Sequence, residues 1–177
     1  MLIALSALAA TTLEPMLDGR CDEYAGAETH ALGGSVRMFL TQTRDHVWLC
    51  FAVPEGSYGT LDLRIEAPRL PKALNLHASA QLGEWVADDP AAAPKNGRDP
   101  LWWRLGGWWA NVVRAGGVIG GQIDYRTLTG REIQLSKARF GRGDWRVSAN
   151  LSDVAAPAGQ MSAVKWPANG THHIKAE

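Results

Sequence analysis

The feature that most constrains this chain is a hydrophobic period of two. Val36, Met38 and Leu40 alternate with Arg37, Phe39 and Thr41, and Val47, Leu49, Phe51 and Val53 alternate with His46, Trp48, Cys50 and Ala52. The same spacing returns at Leu61, Leu63 and Ile65, at Leu74, Leu76 and Ala78, and at Trp145, Val147, Ala149 and Leu151. Successive side chains on a strand point to opposite faces, so each run predicts a strand that buries one side. Clusters of Gly, Pro, Asn and Asp interrupt the runs at residues 54–59, 68–71, 88–100 and 155–159. No amphipathic helix of comparable length competes, and no repeat of fixed period is present. The expected fold is all-β, an antiparallel β-sandwich of immunoglobulin or jelly-roll type. With 177 residues, a single domain over residues 11–177 has enough chain to bury a core.

Charge and cysteine usage narrow the partners. Eighteen basic and eighteen acidic residues cancel, and no basic stripe interleaves with the aromatic residues, so nucleic acid is not an expected partner. Leu2 to Ala10 is a short apolar run with a small-x-small pattern at Ala7-Leu8-Ala9, so residues 1–10 read as an export signal or as a first strand. No other stretch approaches the ~20 apolar residues of a spanning helix. Cys21 and Cys50 lack CxxC spacing, which leaves a disulfide or two buried thiols. Export favours the bridge, and the expected location is periplasmic or extracellular.

Four of the eight tryptophans fall within "WWRLGGWW", Trp102 to Trp109. With Gly106-Gly107 as a two-residue hairpin turn, Leu105 pairs with Trp108, Arg104 with Trp109, Trp103 with Ala110 and Trp102 with Asn111. One face is then Leu105, Trp108, Trp103 and Ala110, an apolar set expected in the core. The other is Trp102, Arg104, Trp109 and Asn111. Two indoles beside a guanidinium and an amide suit a sugar, whose C–H patches pack on aromatic rings and whose hydroxyls take bidentate polar partners. Trp85 is positioned in sequence to close over that face, and Tyr125 is a further aromatic near the cluster. Three outcomes stay open: a carbohydrate site, a face that docks a protein partner, and tryptophans that serve packing alone.

"LDGRCDEYAGA", Leu17 to Ala27, resembles the opening segment of domains related to carbohydrate-binding module family nine, with Asp18, Gly19, Asp22, Glu23, Tyr24 and Ala27 carrying the match. "VRMFLTQTRDHVWLCFAVPEG", "LDLRIEAP" and "REIQLSKARFGRGDWRVSANL" follow in the order of that family's later strands. The resemblance implies a β-sandwich in which two aromatic side chains hold a sugar, with structural calcium in some members. The tryptophan cluster does not align onto that family's ligand residues. Related DOMON-like domains bind haem through Met with His or Lys, which makes Met38, His46 and His77 the residues of a remote haem alternative.

Catalytic signatures are missing from the sequence: no GxSxG elbow, HExxH pair or phosphate loop is present, and an enzyme is not expected. Adjacent carboxylates at Asp22-Glu23 and Asp88-Asp89 read as solvated, with Asp18, Asp22 and Glu23 a minor calcium option. No other metal or cofactor is expected. His172-His173 reads as a frayed tail, and Arg142-Gly143-Asp144 as a turn before a strand.

Overall fold

The computed structural model describes residues 14–57, 60–79, 81–111, 118–119, 122–123 and 129–177. Its strands in chain order are β1 (Glu28–Gly33), β2 (Val36–Gln42), β3 (His46–Ala52), β4 (Leu61–Glu66), β5 (Leu74–Ala78), β6 (Leu82–Val86) and β7 (Trp108–Asn111). After them come β8 (Val118–Ile119), β9 (Gln122–Ile123), β10 (Gly130–Ser136), β11 (Gly143–Ala155), β12 (Met161–Trp166) and β13 (His172–Ala176). The helical pieces among the described residues are the turn α1 (Lys137–Phe140) and 3-10 turns at Pro90–Ala92 and Pro157–Gly159. Residues 1–10, read above as an export signal or a first strand, and Tyr125 lie outside the described residues.

Two antiparallel sheets form the sandwich, one ordered β1-β2-β3-β10-β7 and the other β12-β11-β4-β5-β6, with β13 pairing the first half of β11. The period-two runs become the inner layers. Val36, Met38, Leu40, Val47, Leu49, Phe51, Trp108, Ile133 and Leu135 of the first sheet meet Leu61, Leu63, Ile65, Leu76, Val147, Ala149 and Leu151 of the second. Trp145 is buried in the same core, where its Nε1 donates to the Gly141 carbonyl at 2.7 Å. Each such side chain contributes about 1.5–3 kcal/mol when removed from water, so alternation alone is enough to orient every long strand. No helix among the described residues is long and apolar enough to cross a membrane.

β3 and the first half of β10 depart from simple alternation. β3 is buried on both faces, because the segment before β1 folds across the outer side of the first sheet. Tyr24, Trp48 and Cys50 form a second apolar cluster there, with Leu17, Cys21, Ala27 and Phe39 packed on it. Cys21 is bonded to Cys50, with Cα atoms 5.8 Å apart. The covering segment is also tied by Glu132 of β10, only 1% exposed, which accepts from the Asp18 and Gly19 amides at 2.8 and 2.7 Å and from the Tyr24 hydroxyl at 3.1 Å. Gly130 permits this approach, since a Cβ there would sit 2.6 Å from the Gly19 carbonyl oxygen. Asp18, Gly19 and Tyr24 therefore hold the covering segment down.

Burial pushes the Glu132 carboxyl up to about 7, against the pull of its three donors. A folded-state value above the unfolded 4.5 means that the folded state binds more protons between the two. The stabilisation is full below about 4.5 and is lost as the pH rises through about 7. Urea unfolding should show the parent losing roughly 2–3 kcal/mol across that window relative to Glu132→Gln, which removes the titration. Parallel pH profiles for the two proteins would refute this.

Candidate functional site

The outer face of the second sheet is a polar lattice set by strand register. One row runs Lys165, Asn150, Asp62, His77, Gly83 across β12, β11, β4, β5 and β6, and the next runs Ser148, Arg64, Asn75, Trp85. Asp62 organises the centre: its Oδ1 accepts from Asn75 Nδ2 at 2.9 Å and lies 2.8 Å from His77 Nδ1. The other ring nitrogen of His77 lies 2.9 Å from the Ser79 hydroxyl, so the imidazole is fixed at both ends. Preorganised polar groups of this kind bind without a large ordering cost.

Aromatic rings bound one end of the lattice. Trp85 stacks on His77 with centroids 5.9 Å apart and planes 29° apart. Trp102 stands edge-on to Trp85 at 6.1 Å and 5.0 Å from His77. It reaches this face from the loop after β6 and lies over Gly83, where a Cβ would come within 3.2 Å of its ring. The loop is held to β6 by the Trp103 amide on the Leu82 carbonyl at 2.5 Å and the Gly106 amide on Glu84 at 2.8 Å. It thereby covers the unpaired edge of the sheet. Trp102 Nε1 donates to the Asn96 carbonyl at 2.9 Å, which fixes the indole in its seat.

Two open depressions lie along the rest of the lattice, neither lined by Trp85, Trp102 or His77. One of about 400 Å³ is bounded by Asp62, Arg64, Asn75, Asn150, Lys165 and the turn at residues 167–170. The other, about 670 Å³, lies between Arg64, Glu66, Asp88, Arg146 and the turn at residues 67–73. Arg64 separates them, bidentate to Asp88 at 2.6 and 3.0 Å and bonded to Glu66 at 3.1 Å. That contact holds the Asp88 carboxyl below the usual carboxylate range and raises the Arg64 guanidinium. Arg146 also pairs with Glu66. The result is a strip of amides, carboxylates and cations beside two half-buried indoles.

The structure divides the residues that the sequence pattern had grouped. Trp85 and Trp102 meet, but Trp109 and Asn111 belong to β7 in the other sheet, where they pair with Gln134 and Glu132 of β10. The Gly106-Gly107 hairpin does not form: residues 101–107 are turn and loop, and the partner of β7 is β10. Trp108 enters the core and Ala110 packs against it as expected. Trp103 and Leu105, expected inside, are 59% and 36% exposed because they lie on the loop outside the sheet. Trp109 points outward from its sheet at 60% exposed, and Arg104 is exposed on the loop. The expected face of Trp102, Arg104, Trp109 and Asn111 therefore does not form, and Trp102 meets Trp85 instead. Asp62, Asn75 and Asn150 were not singled out from the sequence, and His77 only as a haem ligand. Their signal was present as the outward positions of alternating strands.

The remaining ligand sets separate too. Met38 is fully buried between the sheets, whereas His46 and His77 sit on the outer sides of different sheets and do not converge with it. Asp18 Oδ1 accepts from the Arg20 amide, Glu23 from the Met16 amide, and Asp22 pairs with Arg20 at 3.4 Å. Their oxygens do not gather into one coordination shell. His172 and His173 are no frayed tail, since both lie in β13 paired to β11. Comparison with models of known families, with curated proteins and with solved structures finds no match for this chain.

Proposed function

We propose that this protein is a non-catalytic carbohydrate-binding module whose glycan lies along the outer face of the second sheet. The observation that carries this reading is the contact of Trp85, Trp102 and His77 beside the Asp62–Asn75 pair, a stacking wall next to fixed hydrogen-bonding groups. Sugar C–H faces pack on indoles, and vicinal hydroxyls match the amides of Asn75 and Asn150 and the carboxylate of Asp62. The disulfide supports an exported protein working in the periplasm or outside the cell.

Intrinsic fluorescence against a panel of soluble mono- and oligosaccharides tests it. The expected result is a weak, saturable change. Folded Trp85→Ala and Asp62→Ala should each lose affinity by more than about tenfold, the equivalent of 1.4 kcal/mol. Gly83→Leu should do the same by displacing Trp102, while Trp109→Ala should leave binding intact. No saturable response in the parent, or equal loss in Trp109→Ala, would remove the reading.

A second reading rests on a different observation. Trp103 and Trp109, 59% and 60% exposed, lie off the polar lattice, and exposed tryptophans mark protein contact hot spots. A protein-interaction role predicts self-association or capture of a partner chain that Trp103→Ala and Trp109→Ala weaken, with no response to sugars.

A further inference from the structure

We propose a transition-metal site at the β1 edge of the sandwich, formed by Glu28 and His30 of β1 with His172 of β13. Glu28 and His30 are two residues apart on one strand and so share a face. β13 belongs to the other sheet, so the three ligands join both layers. Glu28 Oε1 lies 2.6 Å from His30 Nε2 and 3.6 Å from His172 Nε2. One ligand atom from each residue falls within 4.8 Å of the others. Metal bonds of 2.0–2.1 Å at tetrahedral angles place ligand atoms roughly 3.3 Å apart. Glu28 and His172 are already near that spacing, and no pair of ligand atoms has to close by more than about 1.5 Å to reach it.

The setting suits the chemistry. Buried Trp166 backs both imidazoles, with ring centroids 4.7 Å from His172 and 5.7 Å from His30. The two imidazoles are themselves 5.0 Å apart and nearly perpendicular at 81°. The opposite side opens to solvent, with Glu28 52% exposed, which leaves room for a water as the fourth ligand. Two imidazoles and one carboxylate select zinc, copper or nickel over calcium and magnesium, which prefer all-oxygen shells. Both imidazoles turn toward the same Glu28 oxygen.

The test uses the whole chain, stripped with chelator and dialysed, then titrated with Zn²⁺ by calorimetry and with Co²⁺ by visible absorption. One equivalent should bind, Co²⁺ should give tetrahedral d–d bands, and Zn²⁺ at about a hundred times its Kd should raise Tm by about 5–10 °C. His30→Ala, His172→Ala and Glu28→Gln should each weaken binding more than the roughly 10–100-fold that losing a partner behind a ligand costs. His173→Gln should bind like the parent. The decisive variant is Glu28→Gln, exposed and nearly isosteric, so its metal-free Tm should not change. Failure of the parent to bind one equivalent, or retention of parental affinity in Glu28→Gln, would overturn the site.

Discussion

Trp108→Ala should lower the unfolding free energy by about 3–5 kcal/mol, while Trp109→Ala, one residue further on, should stay within about 0.5 kcal/mol. The contrast follows from strand geometry. β7 pairs with β10, placing Trp108 opposite Leu135 on the inner face and Trp109 opposite Gln134 on the outer one. Trp108 is 1% exposed and touches the main core, whereas Trp109 is 60% exposed. Truncating Trp108 removes a large apolar surface and leaves a cavity that two rigid sheets cannot close. Trp108→Phe should be milder, because the Trp108 Nε1 is buried with no hydrogen-bond partner among the described residues and phenylalanine removes that donor. Urea unfolding followed by circular dichroism measures all three. Equal costs at Trp108 and Trp109 would show that β7 does not sit in this register.

Removing the disulfide by Cys21→Ser with Cys50→Ser should cost at least about 3–4 kcal/mol, the chain-entropy value for closing a loop of this size. Two local effects add to it. Cys50 lies beside Trp48 in the second apolar cluster, so loosening the covering segment wets the outer side of β3. The same loosening takes the Asp18 and Gly19 amides away from Glu132, leaving a buried carboxylate with fewer donors. Unfolding with and without reductant should show the loss, with a red shift of tryptophan emission as Trp48 meets water. A loss below about 1 kcal/mol would mean that Glu132 and Tyr24 hold the segment unaided.

The proposed sugar face and the metal site occupy different parts of the sandwich, the first on the exposed side of β4, β5 and β6 and the second beside β1 and β13. Their tests are separable for that reason. Trp85→Ala should leave zinc binding as it was, and Glu28→Gln should leave sugar binding as it was.

The site was less legible than the fold. Trp85 and Trp102 could be singled out because indoles are few and large, and their meeting was half anticipated. Asp62 and Asn75 could not, and His77 stood out only as a metal-ligand type, because any solvent-facing strand position carries such residues and only their hydrogen bonds to one another distinguish them. His172 was hidden by its place near the end of the chain, where pairing with β11 can be seen only once β11 is in place.

Periodicity is a local property, and the sequence by itself determined what local properties can: the runs at residues 36–41, 46–53, 61–66, 74–79 and 145–151, which lie on β2, β3, β4, β5 and β11, and the inward side of each. It also set the polar loop after β6 and a cysteine pair at a spacing compatible with a bridge. Which strand lies beside which was decided only in three dimensions. Gly106-Gly107 offered a plausible local hairpin, yet β7 found a better partner in β10, more than twenty residues away along the chain. That pairing seats Trp108 in the core, whereas the local turn would have placed Trp103 and Leu105 there with it. The same long-range competition laid the N-terminal segment over β3 and brought Trp102 onto Gly83. Burial free energy is summed over the whole molecule, so the partner that completes the two layers wins over the nearest one in sequence.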